Sequence, residues 1–143
     1  MWTFAGLALV MAQIAPVPTS DYKTGANLVE ALFEQMEEWV LESRTALTQF
    51  AGPLSSSTVQ SAPLVLSGGA RYAIIGYCDE GCSDLRLVLS GPTGRISSEP
   101  IGSTEDQPGI LIESSVAGAH EVVVNMNRCA KDQCFYAVRV YRL

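Results

Sequence analysis

Four cysteines, with acidic residues beside them, are the part of this sequence best suited to chemistry. The cysteines form two close pairs, Cys78 with Cys82 and Cys129 with Cys134. Each pair flanks a short polar segment typical of a turn, so we predict two local disulfides, a pattern common in exported proteins. Cross-pairing between the two motifs is an alternative, and so is a zinc site that uses all four thiolates.

Three carboxylates next to the first cysteine pair are candidate calcium ligands. Asp79, Glu80 and Asp84 are close together in the sequence. Calcium takes six to eight oxygen ligands, so backbone or water oxygens would have to complete the site. The alternative is that the two aspartates accept hydrogen bonds from nearby N–H groups of a turn. We predict no other cofactor.

His120 is the only histidine, so a Ser-His-acid triad would depend on it. The sequence has no Gly-x-Ser-x-Gly motif, the usual setting of a serine nucleophile in one large hydrolase class. We therefore expect His120 to be a strand residue and predict no catalytic residues. A small hydrolase that uses His120 is the least favoured hypothesis for the function. Glu99, Glu105 and Asp106 form a second acidic loop, which we expect to be solvated.

A helical pattern runs from about Gly25 to Phe50, where Gly52 and Pro53 predict its end. One face of this helix carries an apolar stripe at heptad spacing, and another face carries a ladder of glutamates. The stripe predicts packing either on the rest of the domain or on a second copy, and a second copy would make the chain an oligomeric structural protein. The glutamate ladder is predicted to be solvated. The stripe is Val29, Leu32, Met36, Trp39, Ala46 and Phe50, and the ladder is Glu30, Glu34, Glu38 and Glu42.

After about Val59 the apolar pattern changes to a period of two, which is typical of strands. Glycine and proline turns separate the segments, so we predict an α+β, mainly β, protein whose strands form an antiparallel jelly-roll-like β-sandwich. Tyr72 and Tyr136 are expected to face the core, while Tyr77 and Tyr141 lie either at its edge or on a binding surface. The predicted strands are 64–66, 70–77, 85–90, 95–98, 109–115, 120–126 and 135–141.

The chain of 143 residues has a net charge of −6, which argues against nucleic acid as a partner. The apolar run 4–12 is too short to span a membrane and has the size of a signal-peptide core, although no Lys or Arg precedes it. We predict a signal peptide over 1–12, a linker and helix over 13–53, and the sandwich over 54–143. A buried strand or helix at the N-terminus is the alternative.

Residues 66–142 resemble the bacterial pre-peptidase C-terminal domain, a secreted β-sandwich. The similarity lies in a glycine-led strand that starts at Gly69, the alternating leucines after Asp84, the turn at Pro92, a glycine at Gly118 and the final strand around Tyr136. The resemblance implies a fold and a location outside the cytoplasm, and it implies no catalytic residues. Domains of this family usually accompany a catalytic domain, which this sequence lacks.

These observations predict a non-catalytic accessory module, periplasmic or secreted, that binds a protein or a cell-surface macromolecule. The mature form is expected to have no transmembrane helix.

Mass spectrometry of the exported protein is expected to find an N-terminus at or near Gln13. Val10 and Ala12 stand three and one residues before a cut after Ala12, where signal-peptide cleavage requires small or tolerated side chains. An intact Met1 on the exported protein would contradict cleavage.

Overall fold

The computed structural model describes residues 20–42 and 44–143, without the side chains of 20–24 and of Trp39. The predicted signal peptide and linker lie outside these residues. Within the described residues, one helix precedes nine strands. The helix is α1 (Ser20–Trp39), and the strands are β1 (Thr48–Leu54), β2 (Thr58–Leu66), β3 (Tyr72–Cys78), β4 (Cys82–Gly91), β5 (Gly94–Ser97), β6 (Glu99–Pro100), β7 (Pro108–Ile112), β8 (Gly118–Cys129) and β9 (Cys134–Arg142).

The strands form two antiparallel sheets that face each other, which confirms the predicted α+β β-sandwich. The first sheet has the order β1-β9-β3-β7-β6 and the second has the order β2-β8-β4-β5. Strands in the middle of the first sheet, such as β3, are buried on both faces, because one face meets the second sheet and the other meets α1. The core between the sheets includes Leu85, Leu87, Ile74, Val122 and Val138.

Two strands at the N-terminal end of the sandwich differ from the prediction: β1 was not predicted, and β2 begins earlier than expected. The helix ends at Trp39 rather than near Phe50, and the predicted boundary after residue 53 is wrong because β1 already belongs to the first sheet. All seven residues of β1 pair with β9, so sheet pairing overrides the helical spacing of Ala46 and Phe50. β2 begins at Thr58, before the predicted 64–66, because an edge strand accommodates polar residues and Pro63.

Helix α1 lies on the outer face of the first sheet, over β9 and β3. Val29, Phe33 and Met36 on the helix are buried against residues of these strands, such as Ile75 and Tyr77. Phe33 meets the Tyr77 ring edge-on at a centroid distance of 4.7 Å. The molecule therefore has three layers, the helix and two sheets.

A buried arginine on β9 holds the helix in this position. The side chain of Arg139 is 1% exposed, and its guanidinium lies 4.5 Å from the centre of the Phe33 ring. It donates to Glu30 Oε2 at 2.7 Å and to Glu37 Oε2 at 2.8 Å, both on α1, and to Gln49 Oε1 at 2.6 Å on β1. Burial alone would lower the pKa of Arg139, but the two carboxylates outweigh it and raise that pKa. The acidic ladder is thus not wholly solvated, since Glu30 faces the sheet.

Of the two packings that the sequence left open for the apolar stripe, on the domain or on a second copy, the structure shows packing within the chain. Val29 and Met36 are buried under the helix, Leu32 is partly buried beside them, and Phe50 is not on the helix but in the core between the sheets. A second copy could pair with this stripe only if the helix left the sheet. Ala46 is buried in the same cluster as Val29 and Met36, and the side chain of Trp39 lies outside the described part of the structure.

Within residues 20–42 and 44–143, no helix combines the length and the apolar character needed to cross a membrane.

Glu37→Ala is expected to destabilise the protein by about 3 kcal/mol, because it leaves a buried guanidinium short of a partner. Glu34→Ala, an exposed position on the same helix, serves as the control and should change stability by less than about 0.5 kcal/mol. Urea denaturation measures both, and equal effects would contradict the role given to Arg139.

The buried, hydrogen-bonded hydroxyl of Tyr141 should make the protein less stable at alkaline pH. Its hydroxyl donates to Glu37 Oε2 at 2.6 Å, and burial together with Glu37 raises its pKa well above the ordinary value of 10.0. Above about pH 10 the unfolded chain loses this proton while the folded chain keeps it, so the free energy of unfolding falls as the pH rises.

Urea unfolding at about pH 8 and about pH 11 should therefore show a smaller decline in Tyr141→Phe than in the parent protein. The same decline in both proteins would contradict this assignment. Burial also raises the pKa of Tyr77, so part of the decline should remain in the variant.

Candidate functional site

The two disulfide loops form one joined unit at an end of the sandwich. The structure pairs Cys78 with Cys82 and Cys129 with Cys134, the local pairing that the sequence predicts. Cys82 and Cys129 are also cross-strand partners in the ladder between β4 and β8. Because the loops are adjacent, Ala130 N–H donates to Gly81 O at 2.8 Å between them.

Asp79 is the buried centre of this unit. Its side chain is 1% exposed and lies 3.1 Å from Lys131 Nζ in the other loop. Asp79 Oδ1 accepts from Gly81 N–H at 3.2 Å, and Oδ2 accepts from Phe135 N–H at 2.9 Å. A Cβ on Gly25 would lie 2.5 Å from Asp79 Oδ2, so a glycine is needed where α1 passes this carboxylate.

The three predicted calcium ligands have different neighbours. Asp79 is held as described, and Glu80 lies exposed at 3.6 Å from Lys131 Nζ. Asp84 accepts from Arg86 at 3.1 and 3.3 Å, and Asp84 is the first cause of the raised pKa of Arg86. In the described part of the chain, no three His, Cys, Asp or Glu side chains are grouped as metal ligands. Calcium binding stays a prediction, and it requires a coordination that these contacts do not provide.

His120 faces the interior at the opposite end of the sandwich. Its cross-strand partner Leu64 is buried, and His120 Nδ1 lies 2.9 Å from Gly118 O. The ring covers Gly91, where a Cβ would collide with it. Ser115, which lines the same cavity, donates from Oγ to Ser67 O and accepts from Ala70 N–H. This serine is therefore engaged by the backbone and not poised as a nucleophile.

Of the two alternatives for Tyr77 and Tyr141, a core position or a binding surface, the structure supports the core position, because both are buried under α1. Tyr72 and Tyr136 are buried between the sheets as expected. In the second acidic loop, Glu105 Oε2 pairs with Arg86 at 3.2 Å, and Thr104 Oγ1 donates to Asp106.

The candidate site is a groove on the open side of the sandwich, where the edge strand β5 faces the end of β7. We call it the side groove. Its first cavity, of about 100 Å³, lies beside His120 and is bounded by Leu89, Ile96, Ile112 and Val116. Its second cavity, of about 430 Å³, continues along β4 and is lined by Leu85, Leu87, Ser97, Ser98, Pro100, Glu105 and Pro108.

Cross-strand register explains why the floor of the side groove is apolar. Ile96 pairs with Leu89, which is 3% exposed, so Ile96 points towards the space between the sheets. No further strand of the described chain covers this side, and Ile96 therefore stays 43% exposed while Val116 stays 40% exposed.

Polar groups at the rim are unevenly distributed along the side groove. Arg95 borders the first cavity and forms no ion pair with any described residue. At the second cavity, Arg86 is neutralised by Asp84 and Glu105. The first cavity thus has apolar walls and, at its rim, an arginine without an ion pair among the described residues, which suits an aliphatic group next to a carboxylate.

Sequence reasoning missed the side groove, because it depends on which two sheet edges meet. The available signal was a short strand, Gly94–Ser97, with one large aliphatic residue and no proline.

Comparison with solved structures identifies the fold. The sandwich is similar to the pre-peptidase C-terminal domain of a collagenase from Bacillus anthracis, with a TM-score of 0.51 and 13% identity over 68% of this chain and 88% of that one. The sandwich has the fold of a pre-peptidase C-terminal domain. This pre-peptidase-like fold confirms the resemblance inferred from the sequence.

More distant structural similarities involve other β-domains. One is PliG of Aeromonas hydrophila, a periplasmic inhibitor of g-type lysozyme, with a TM-score of 0.42 and 16% identity over 66% of this chain and 84% of that one. Another is a carbohydrate-binding module of Cellvibrio mixtus lichenase 5A, with a TM-score of 0.36 and 14% identity over 63% of this chain and 74% of that one. No protein-family model matches the chain, and no characterised protein matches it in sequence.

Asp79→Asn is expected to destabilise the oxidised protein by about 2 kcal/mol, because an amide nitrogen cannot accept the hydrogen bonds that the second carboxylate oxygen accepts. Glu80→Gln removes an exposed charge from the same loop and should have an effect below about 0.5 kcal/mol. Urea unfolding with the disulfides intact measures the difference. A null effect of Asp79→Asn would show that the loops do not depend on this carboxylate.

Proposed function

We propose that this chain is a non-catalytic, exported accessory module of a secreted or periplasmic system, and that it binds a protein partner through the side groove. The observation that carries the proposal is the side groove itself, where two adjoining cavities lie beside a strand edge that no described strand covers. Exposed apolar surface that is rimmed by polar residues is typical of protein-interaction sites and binding grooves.

The contacts of the other candidate residues support a binding role over a catalytic one. Ser115, one of the two serines that line the cavity beside His120, is hydrogen-bonded to the backbone. Tyr77 and Tyr141, the tyrosines considered for a carbohydrate-binding surface, are covered by α1.

Export is supported by the cysteines. All four are in disulfides, and disulfides persist in oxidising compartments. The same bonds brace the end of the sandwich opposite His120.

The experiment is selection of binders from a displayed library of random dodecapeptides against the full, oxidised protein. The enriched peptides should lose binding to Ile96→Asp, which places a charge on the floor of the side groove. They should keep binding to Val65→Asp, the matched control, because Val65 is 78% exposed on β2 at the other edge of the same sheet.

Absence of enrichment would contradict the proposed function. So would enriched peptides that bind Ile96→Asp as well as they bind the parent protein.

A further inference from the structure

The four edge strands of the two sheets differ in whether they contain proline, which decides where a partner strand can be added. The sheet orders place β1 and β6 at the edges of the first sheet and β2 and β5 at those of the second. Three of these strands contain proline, namely Pro53 in β1, Pro100 in β6 and Pro63 in β2. Proline lacks the N–H needed for pairing and blocks the addition of another strand. Within the described chain, β5 is the edge strand without one.

The outward backbone groups of β5 follow from its pairing with β4. Ser98 N–H donates to Leu87 O at 2.9 Å. In an antiparallel pair, hydrogen-bonded and non-hydrogen-bonded positions alternate. Ile96, two residues earlier, therefore bonds to β4, whereas Arg95 and Ser97 direct their N–H and C=O groups away from it. Two residues of β5 thus present backbone donors and acceptors to a partner.

The side groove determines what such a partner must carry. A strand added beside β5 would place a side chain next to Ile96, facing Ile112 and Val116 in the cavity of about 100 Å³. That cavity accepts one aliphatic side chain. The neighbouring residue of the partner would lie on the outer face with Arg95, whose charge has no acidic partner among the described residues and favours a carboxylate.

We propose that β5 is a site of strand addition, and that the partner is another protein's extended segment in which an aliphatic residue stands next to an acidic one. The segment hydrogen-bonds to the backbone of Arg95 and Ser97, its aliphatic side chain enters the cavity at Ile96, and its carboxylate pairs with Arg95. A second copy of this chain is disfavoured as the occupant, because pairing two β5 edges brings two Arg95 side chains together. This inference rests on the proposed function and specifies its partner.

The test uses the most enriched dodecapeptide of the library, synthesised with fluorescein, and fluorescence polarisation with the full protein. N-methylation of the alternate amides that pair with β5 should weaken binding about tenfold, because it removes two backbone hydrogen bonds. Methylation of the intervening amides should have little effect. Equal affinity for both methylated peptides would overturn strand addition.

Charge exchange tests the role of Arg95. Arg95→Glu should weaken the peptide about tenfold, and a peptide whose acidic residue is replaced by arginine should recover that loss. Arg128→Glu, an exposed arginine of β8, is the matched control and should have little effect. Absence of recovery, or an equal loss in the control, would overturn the assigned partner chemistry.

Two outcomes separate this inference from the proposed function. If Ile96→Asp abolishes binding while both methylated peptides bind equally, the side groove is the binding site and strand addition is wrong. If Ile96→Asp has no effect on the peptide, both proposals fail. A dimer of the parent protein in light scattering that Ile96→Asp dissociates would show that the occupant is a second copy.

Discussion

The buried guanidinium of Arg139 is the interaction on which the arrangement of layers depends. Arg139 lies in β9, between β1 and β3, and its charge could not stay there without carboxylates. Glu30 and Glu37 supply them from α1, about two turns apart on the helix and beside the buried Val29 and Phe33. Charge and apolar burial therefore select the same face of the helix and the same position on the sheet. Tyr141 adds a hydroxyl that donates to Glu37.

This placement of the helix decides which surface is left for binding. The outer face of the first sheet is covered, and the end of the sandwich near Asp79 is closed by two disulfide loops that are joined through Lys131. Prolines protect three of the four sheet edges. The sheet edge that remains is β5, on the side of the sandwich where it faces β7, with Ile96 partly exposed on the floor of the side groove. Strand addition there would extend a sheet that is already held rigid by the core.

Local patterns in the sequence predicted most of the fold. The alternating leucines from Leu85 gave β4, the cysteine spacing gave both disulfides, and seven predicted segments correspond to β2–β5 and β7–β9. β1 was missed because Phe50 satisfies a helical spacing and an inward strand position equally well, and only pairing with β9 decides between them. The side groove could not be predicted for a related reason. It is formed by residues far apart in the chain, such as Ile96 and Val116, which meet because two sheet edges lie on the same side.

Hydrogen–deuterium exchange of the full, oxidised protein, with and without a bound library peptide, would show whether a partner strand adds to β5. Peptide binding is expected to slow exchange at the amides of Arg95 and Ser97, whose N–H groups point away from β4, and to leave α1 and Thr58–Leu66 unchanged. Slowed exchange in Thr58–Leu66 or α1, with Gly94–Ser97 unaffected, would contradict the claim that the side groove is the binding surface.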